Sequence, residues 1–149
     1  MQGIEGAAVI IPGRLRALVV DDNTYARAIC GASLKKLGVT DITEADNGAE
    51  AILALMTAPF DFMVMDWYMP DVSGAGLMRV LRDIRFGAPS NTPVILMTGY
   101  ASRDNVALAR ELGVNEVLVK PFTTPQLGIA VGRVLGQSQQ AGGDDAVFL

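Results

Sequence analysis

The stretch FDFMVMDWYMPDVSGAGLMRVL, residues 60–81, holds one complete strand-to-helix unit. Phe60 to Met65 is an apolar run with aromatic and β-branched residues, short enough for a strand buried on both faces. It stops at Asp66. A loop containing Pro70 and Gly74 follows, and then a helical stripe of Leu77, Val80, Leu81 and Ile84. Working outward, the same grammar recurs on both sides. Leu15 to Val20 is an apolar run ending at Asp21-Asp22-Asn23, followed by a helix with Ala26, Cys30, Leu34 and Leu37 on one stripe. Val39 to Ala45 is a weaker strand, and Asn47 can cap a short helix carrying Ala49, Ile52, Leu53 and Met56. Val94 to Met97 leads to Thr98, and Ser102 can cap a helix ending at Leu112-Gly113. Glu116 to Val119 leads to Lys120-Pro121, and Thr124 with Pro125 starts a last helix running to about Leu135.

Five β-α units in series predict an α/β fold: a five-stranded parallel sheet, doubly wound, with helices on both faces. In such sheets ligands sit outside the C-terminal ends of the strands. Those ends carry Asp21 and Asp22, Asp66, Thr98 and Lys120. Three carboxylates, one hydroxyl and one ammonium are therefore expected on one edge.

Carboxylates gathered there repel one another, and a hard divalent cation relieves the repulsion. Mg²⁺ takes one or two carboxylates together with waters and phosphate oxygens, which this cluster can offer. Lys120 adds the cation that a transferring phosphoryl group requires, and Thr98 adds a donor for a phosphoryl oxygen. Each residue alone has a plain reading: a solvated Asp-Asp turn, a turn threonine, an exposed lysine. Their combination at four strand ends is what carries weight.

The segments VVDDN (19–23), VMDWYMPDVSG (64–74), VILMTG (94–99) and VLVKPF (117–122) resemble the motifs of bacterial two-component response-regulator receiver domains, of the single-domain chemotaxis type. The resemblance covers about residues 15–135. It implies the flavodoxin-like sheet of strand order 2-1-3-4-5. It implies that Asp66 accepts a phosphoryl group. Mg²⁺ would be held by Asp22 and Asp66 directly, by the backbone carbonyl of Tyr68, and by Asp21 through water. Thr98 and Lys120 would hold the phosphoryl oxygens, and Met69, Pro70 and Gly74 would shape the loop. One position departs from the pattern. Val117 stands where many receivers have an aromatic residue that couples to the threonine, and Tyr100 is the candidate substitute.

The rest of the chain narrows the function further. It has 149 residues, a net charge of −4, one cysteine and no histidine. No histidine means no His-based acid–base or phosphohistidine chemistry within the chain, so a sensor histidine kinase or a histidine phosphotransfer protein is the implied donor. The net charge and the lack of a long basic run argue against nucleic acid as a direct partner. No signal peptide or membrane span is readable, and a lone cysteine suits a reducing compartment, so a cytoplasmic location is expected. Residues 1–13 read as a flexible arm, 14–135 as the receiver domain, and 136–149 as a flexible tail ending in the apolar Ala146 to Leu149. The short tail predicts a stand-alone receiver that signals through a downstream protein target. It is expected to be a monomer, or a weak dimer through its last helices. A flavin or nucleotide binder is disfavoured, because two aspartates occupy the turn where a phosphate cradle belongs. An aspartyl phosphohydrolase would need a general acid beside Asp66, and Trp67-Tyr68 supplies none. A pure interaction module would not need the intact acidic cluster.

Overall fold

The computed structural model describes residues 14–69 and 71–139. The N-terminal arm, Pro70 and residues 140–149, including the apolar end, lie outside the described residues. Five parallel strands, β1 (Arg16–Val20), β2 (Asp41–Ala45), β3 (Phe62–Asp66), β4 (Val94–Thr98) and β5 (Glu116–Val119), form one sheet of order β2-β1-β3-β4-β5. Five helices connect and follow them: α1 (Thr24–Lys36), α2 (Gly48–Thr57), α3 (Gly74–Leu81), α4 (Arg103–Glu111) and α5 (Thr124–Gln139). This is the doubly wound sheet that the alternating pattern predicts.

The three central strands are almost wholly apolar because both their faces are covered. Leu18, Val20, Met63, Met65 and Leu96 pack with α2, α3 and α4 on one side. Ala17, Val19, Phe62, Val64, Ile95 and Met97 pack with α1 and α5 on the other. The edge strands are where charge is tolerated: Asp41 and Glu44 on β2 are exposed, and Glu116 on β5 pairs with Arg133 of α5. Among the described residues, no helix is long and apolar enough to cross a membrane.

Several boundaries differ from the sequence reading, each for a local reason. The β2 strand starts at Asp41, not Val39. Gly38, at φ +99°, closes α1 with its N–H on the Lys35 carbonyl, and the Val39 N–H reaches back to Leu34. Val39 therefore belongs to a left-handed helix cap and is buried under it. In α2 the buried face is Gly48, Ala51 and Leu55 with Ile52 beside it, while Leu53 and Met56 are 62% and 66% exposed. The apolar residues of this helix run nearly all round it, so periodicity alone could not choose its face. The α3 helix ends at Leu81, and Ile84 opens a separate 3₁₀ turn, Ile84–Phe86. The α5 helix runs on to Gln139, past Leu135. Its cap is Thr123 rather than Thr124: the Thr123 hydroxyl accepts from the Gln126 N–H, and the Gln126 side chain accepts from the Thr123 N–H. Thr124 instead donates its hydroxyl to Ser33 Oγ on α1.

Candidate functional site

Parallel strands of this sheet end together, so the residues just past β1, β3, β4 and β5 meet at one edge. Asp21 follows β1 and is fully buried. Its backbone N–H bonds to the Ala45 carbonyl, and its Oδ1 accepts from the Asn23 N–H at 2.9 Å. Asn23 in turn caps α1 by accepting from the Ala26 N–H. The β1–α1 turn is thus fixed at both ends, and Asp22 between them is left facing solvent. Asp66 closes β3, partly buried, with Oδ1 accepting from the Trp67 N–H at 2.9 Å. One oxygen each from Asp21, Asp22 and Asp66 lie within 4.8 Å of one another.

Lys120 reaches this cluster from β5. Its N–H is held by the Thr98 carbonyl at 2.8 Å, and the Lys120-Pro121 bond is cis. Its Nζ lies 3.1 Å from Asp21 Oδ2 and 3.7 Å from Asp66 Oδ1. One ammonium is therefore shared between two of three carboxylates. The Asp66 carboxyl is pushed above its ordinary range. Burial is the main cause, Asp21 and Asp22 add to it, and Lys120 and the Trp67 N–H only partly oppose it. The cluster is short of positive charge. Its donors are all hard oxygens in mutual reach, which fits Mg²⁺. Cys30 lies buried behind the site. Burial, then the nearby Asp21, pushes its thiol up to about 12, so it is a core residue without thiolate chemistry.

Thr98 is buried at the end of β4, and its hydroxyl is engaged with its own loop. Oγ1 accepts from the Tyr100 N–H at 3.0 Å and donates to the Tyr100 carbonyl at 3.1 Å. The Tyr100 ring is 64% exposed and turned out. Val117 is half-buried and packs into the α2–α4 core layer. Tyr68 is 56% exposed, and its hydroxyl accepts from Asn105 Nδ2 of α4 at 3.1 Å, bridging the loop after β3 to that helix.

Sequence reasoning missed three supports. Asp71, in the loop after β3, accepts from the Gly48 and Ala49 N–H groups of α2. Arg27 donates to the Asp21 carbonyl at 2.7 Å and to Glu44 at 2.9 Å, tying the acidic turn to β2. Arg82, at the end of α3, is drawn inward to the carbonyls of Ser90, Thr92 and Gly113 and to the Asn115 side chain. All three depend on long-range contacts that carry no local sequence signal.

Comparison with known proteins agrees with this geometry. Residues 17–131 match the response regulator receiver domain. The chemotaxis protein CheY of Pseudomonas aeruginosa is 40% identical over 114 residues, covering 76% of this chain and 90% of that protein. The solved structure of chemotaxis protein CheY4 of Vibrio cholerae superposes with a TM-score of 0.75 at 27% identity, covering 83% of this chain and all of that one. The receiver domain of a Pseudomonas aeruginosa sensor histidine kinase, solved with a magnesium ion coordinated in its active-site cleft, gives a TM-score of 0.75 at 25% identity and covers 83% of this chain and 99% of that one. The sheet order, the edge on which the carboxylates and Lys120 meet, and these matches lead to one statement: the chain belongs to the response regulator receiver domain family, of the CheY-like kind.

Proposed function

We propose that this chain is a phosphoryl-accepting switch with Asp66 as the acceptor. The observation that carries the reading is the meeting of Asp21, Asp22 and Asp66 with the Lys120 ammonium at the C-terminal edge of the sheet. A carboxylate oxygen of Asp66 attacks the phosphorus of a phosphohistidine on a sensor kinase or phosphotransfer protein. A P–O bond forms and the P–N bond breaks. The electron pair stays on the imidazole nitrogen, which takes a proton from solvent. Asp21, Asp22, Asp66 and the Tyr68 carbonyl would hold Mg²⁺, which would supply positive charge beside the transferring oxygens.

The chain's own residues do the rest. Lys120 turns its ammonium from the carboxylates to a phosphoryl oxygen, offsetting charge as it develops. Thr98 gives up its hydrogen bonds to the Tyr100 backbone and donates to another phosphoryl oxygen. That rearranges the loop between β4 and α4, the entry to a surface that carries exposed Tyr100, Leu108, Val119 and Ile129. This surface is the proposed contact for a downstream protein. Incubation with acetyl phosphate and Mg²⁺, followed by intact-mass measurement, tests the reading. A gain of about 80 Da, one phosphoryl group, located on Asp66 supports it. No gain, or a gain on another residue, removes it.

A further inference from the structure

The loop from Trp67 to Ser73 follows the acceptor directly and is tied down at two places. At its base, the Gly74 N–H donates to the Trp67 carbonyl at 2.8 Å. Gly74 must be glycine there, since a Cβ would lie 2.7 Å from Trp67 Cε3. The second tie is to a different helix. Asp71 Oδ1 accepts from the Gly48 N–H at 3.2 Å and Oδ2 from the Ala49 N–H at 3.3 Å. The contact is shaped from the helix side as well: a Cβ on Gly48 would lie 2.6 Å from Val72 Cβ.

The α2 helix has its own cap without Asp71. The Asn47 side chain accepts from the Glu50 N–H at 2.8 Å, and the Asn47 carbonyl accepts from the Ala51 N–H at 3.1 Å. Asp71 takes the two first-turn amides that remain. A carboxylate at a helix N-terminus is favoured by the helix dipole as well as by the two hydrogen bonds. Backbone N–H groups, that of Val72 first and then those of Gly48 and Ala49, hold the Asp71 carboxyl below its ordinary range, so it is ionised at neutral pH. Tyr68 lies in the span between the two ties, so its backbone follows where they hold the loop.

We infer that Asp71 is a positioning residue for the acidic site, clasping the loop after β3 against the N-terminus of α2 so that the Tyr68 backbone stays in register with Asp66. The inference rests on the reading of that site as a Mg²⁺-dependent acceptor. Asp71 touches neither metal nor phosphoryl group; it acts through the loop.

The test uses the full chain. Mg²⁺ is titrated by calorimetry and by the fluorescence of Trp67, the single tryptophan, whose backbone N–H lies on Asp66. Heat unfolding without metal is measured in parallel. Outer residues that orient a metal site change affinity by about tenfold or more, and Asp71→Ala and Gly48→Ala are expected to weaken Mg²⁺ binding by roughly that factor. Asp71→Asn, which keeps one acceptor, is expected to fall between Asp71→Ala and the parent. Asn47→Ala removes the ordinary cap of α2 without touching the loop. It is expected to lower the melting temperature and leave Mg²⁺ affinity unchanged. Equal Mg²⁺ affinity in Asp71→Ala and the parent overturns the inference while the acceptor reading stands. Weakening in Asn47→Ala equal to that in Asp71→Ala also overturns it, because the effect would then be helix stability alone. A parent chain that binds no Mg²⁺ removes the acceptor reading, and this inference with it.

Discussion

At the scale of single residues, Asp66 carries two opposed consequences. Asp66→Asn removes the proposed nucleophile and a proposed metal ligand, so phosphoryl uptake is expected to vanish in the mass measurement. The same substitution is expected to raise the melting temperature of the metal-free protein at neutral pH. Asp66 has its carboxyl raised from 3.8 in the folded chain, chiefly by burial and then by its acidic neighbours. A carboxyl raised by folding binds its proton more tightly in the native state, so its charge opposes folding above the folded value. That cost fades as the pH falls through the raised value and is gone below the unfolded value. The stability gained by Asp66→Asn should therefore be present at pH 7 and absent near pH 3, as thermal melts at the two values will show. Lys120 and Thr98 separate chemistry from response. Lys120→Ala is expected to slow labelling by acetyl phosphate about a hundredfold, the usual scale for one electrostatic group at the transferring oxygens. Thr98→Ala should label at nearly the parent rate but lose the amide shifts in α4 that phosphorylation induces. Unchanged α4 shifts between the labelled parent and the labelled variant would show Thr98 to be dispensable for the response.

At the scale of elements, α2 and Arg82 show where a sequence is legible and where it is not. The existence of α2, its Asn47 cap and its length follow from the capping residue and the apolar run. Its buried face does not, because Ala51, Ile52, Leu53, Leu55 and Met56 surround the axis and only the neighbours decide which of them are covered. The structure chooses Leu55, so Leu55→Ala is expected to cost about 2–5 kcal/mol, whereas Leu53→Ala should stay within about 0.5 kcal/mol of the parent. Urea unfolding of the two variants separates these outcomes. Arg82 was legible only as a charge. In the fold it leaves the end of α3 and gathers the Ser90 and Thr92 carbonyls at 2.8 and 2.7 Å and the Gly113 carbonyl at 2.7 Å. Asn115, which it also contacts, accepts from the Val94 N–H at the start of β4. One guanidinium thus holds together a second 3₁₀ turn, Ala88–Asn91, before β4, the end of α4 and the approach to β5. Arg82→Met keeps much of the stem but leaves these carbonyls without a charged donor, with an expected loss of about 3 kcal/mol in the same unfolding measurement. Gly113, at φ +101°, lies close enough that a Cβ there would meet Arg82 Nε at 2.7 Å, so the glycine serves both the helix end and the clamp.

At the scale of the whole molecule, the doubly wound parallel sheet was readable from the alternation of apolar runs with helices, since right-handed crossovers leave few arrangements, while the strand order came from the resemblance of the motifs. The gathering of the site's side chains at one edge was readable from the same alternation. Parallel strands that end together turn four separate positions, Asp21-Asp22, Asp66, Thr98 and Lys120, into one constellation. The supports around it were not readable, since Arg27, Asp71 and Arg82 each act on a segment distant in the chain. Binding of Mg²⁺ to the folded state alone should stabilise the entire domain. At a free concentration one hundred times the dissociation constant, the gain is about 2.7 kcal/mol. Calorimetric melts with and without Mg²⁺ are expected to show that rise in the parent, and its absence in Asp66→Asn. The Thr98 hydroxyl closes a small loop with the Tyr100 backbone, and this bears on observation rather than chemistry. The Tyr100 amide hydrogen ends on a side-chain oxygen that the proposed reaction recruits elsewhere. On phosphorylation that proton is left facing water, so its nuclear resonance should move upfield and its exchange with deuterium should quicken. The amide of a residue whose ring points into solvent then serves as an intrinsic beacon of the state of a partly buried carboxylate.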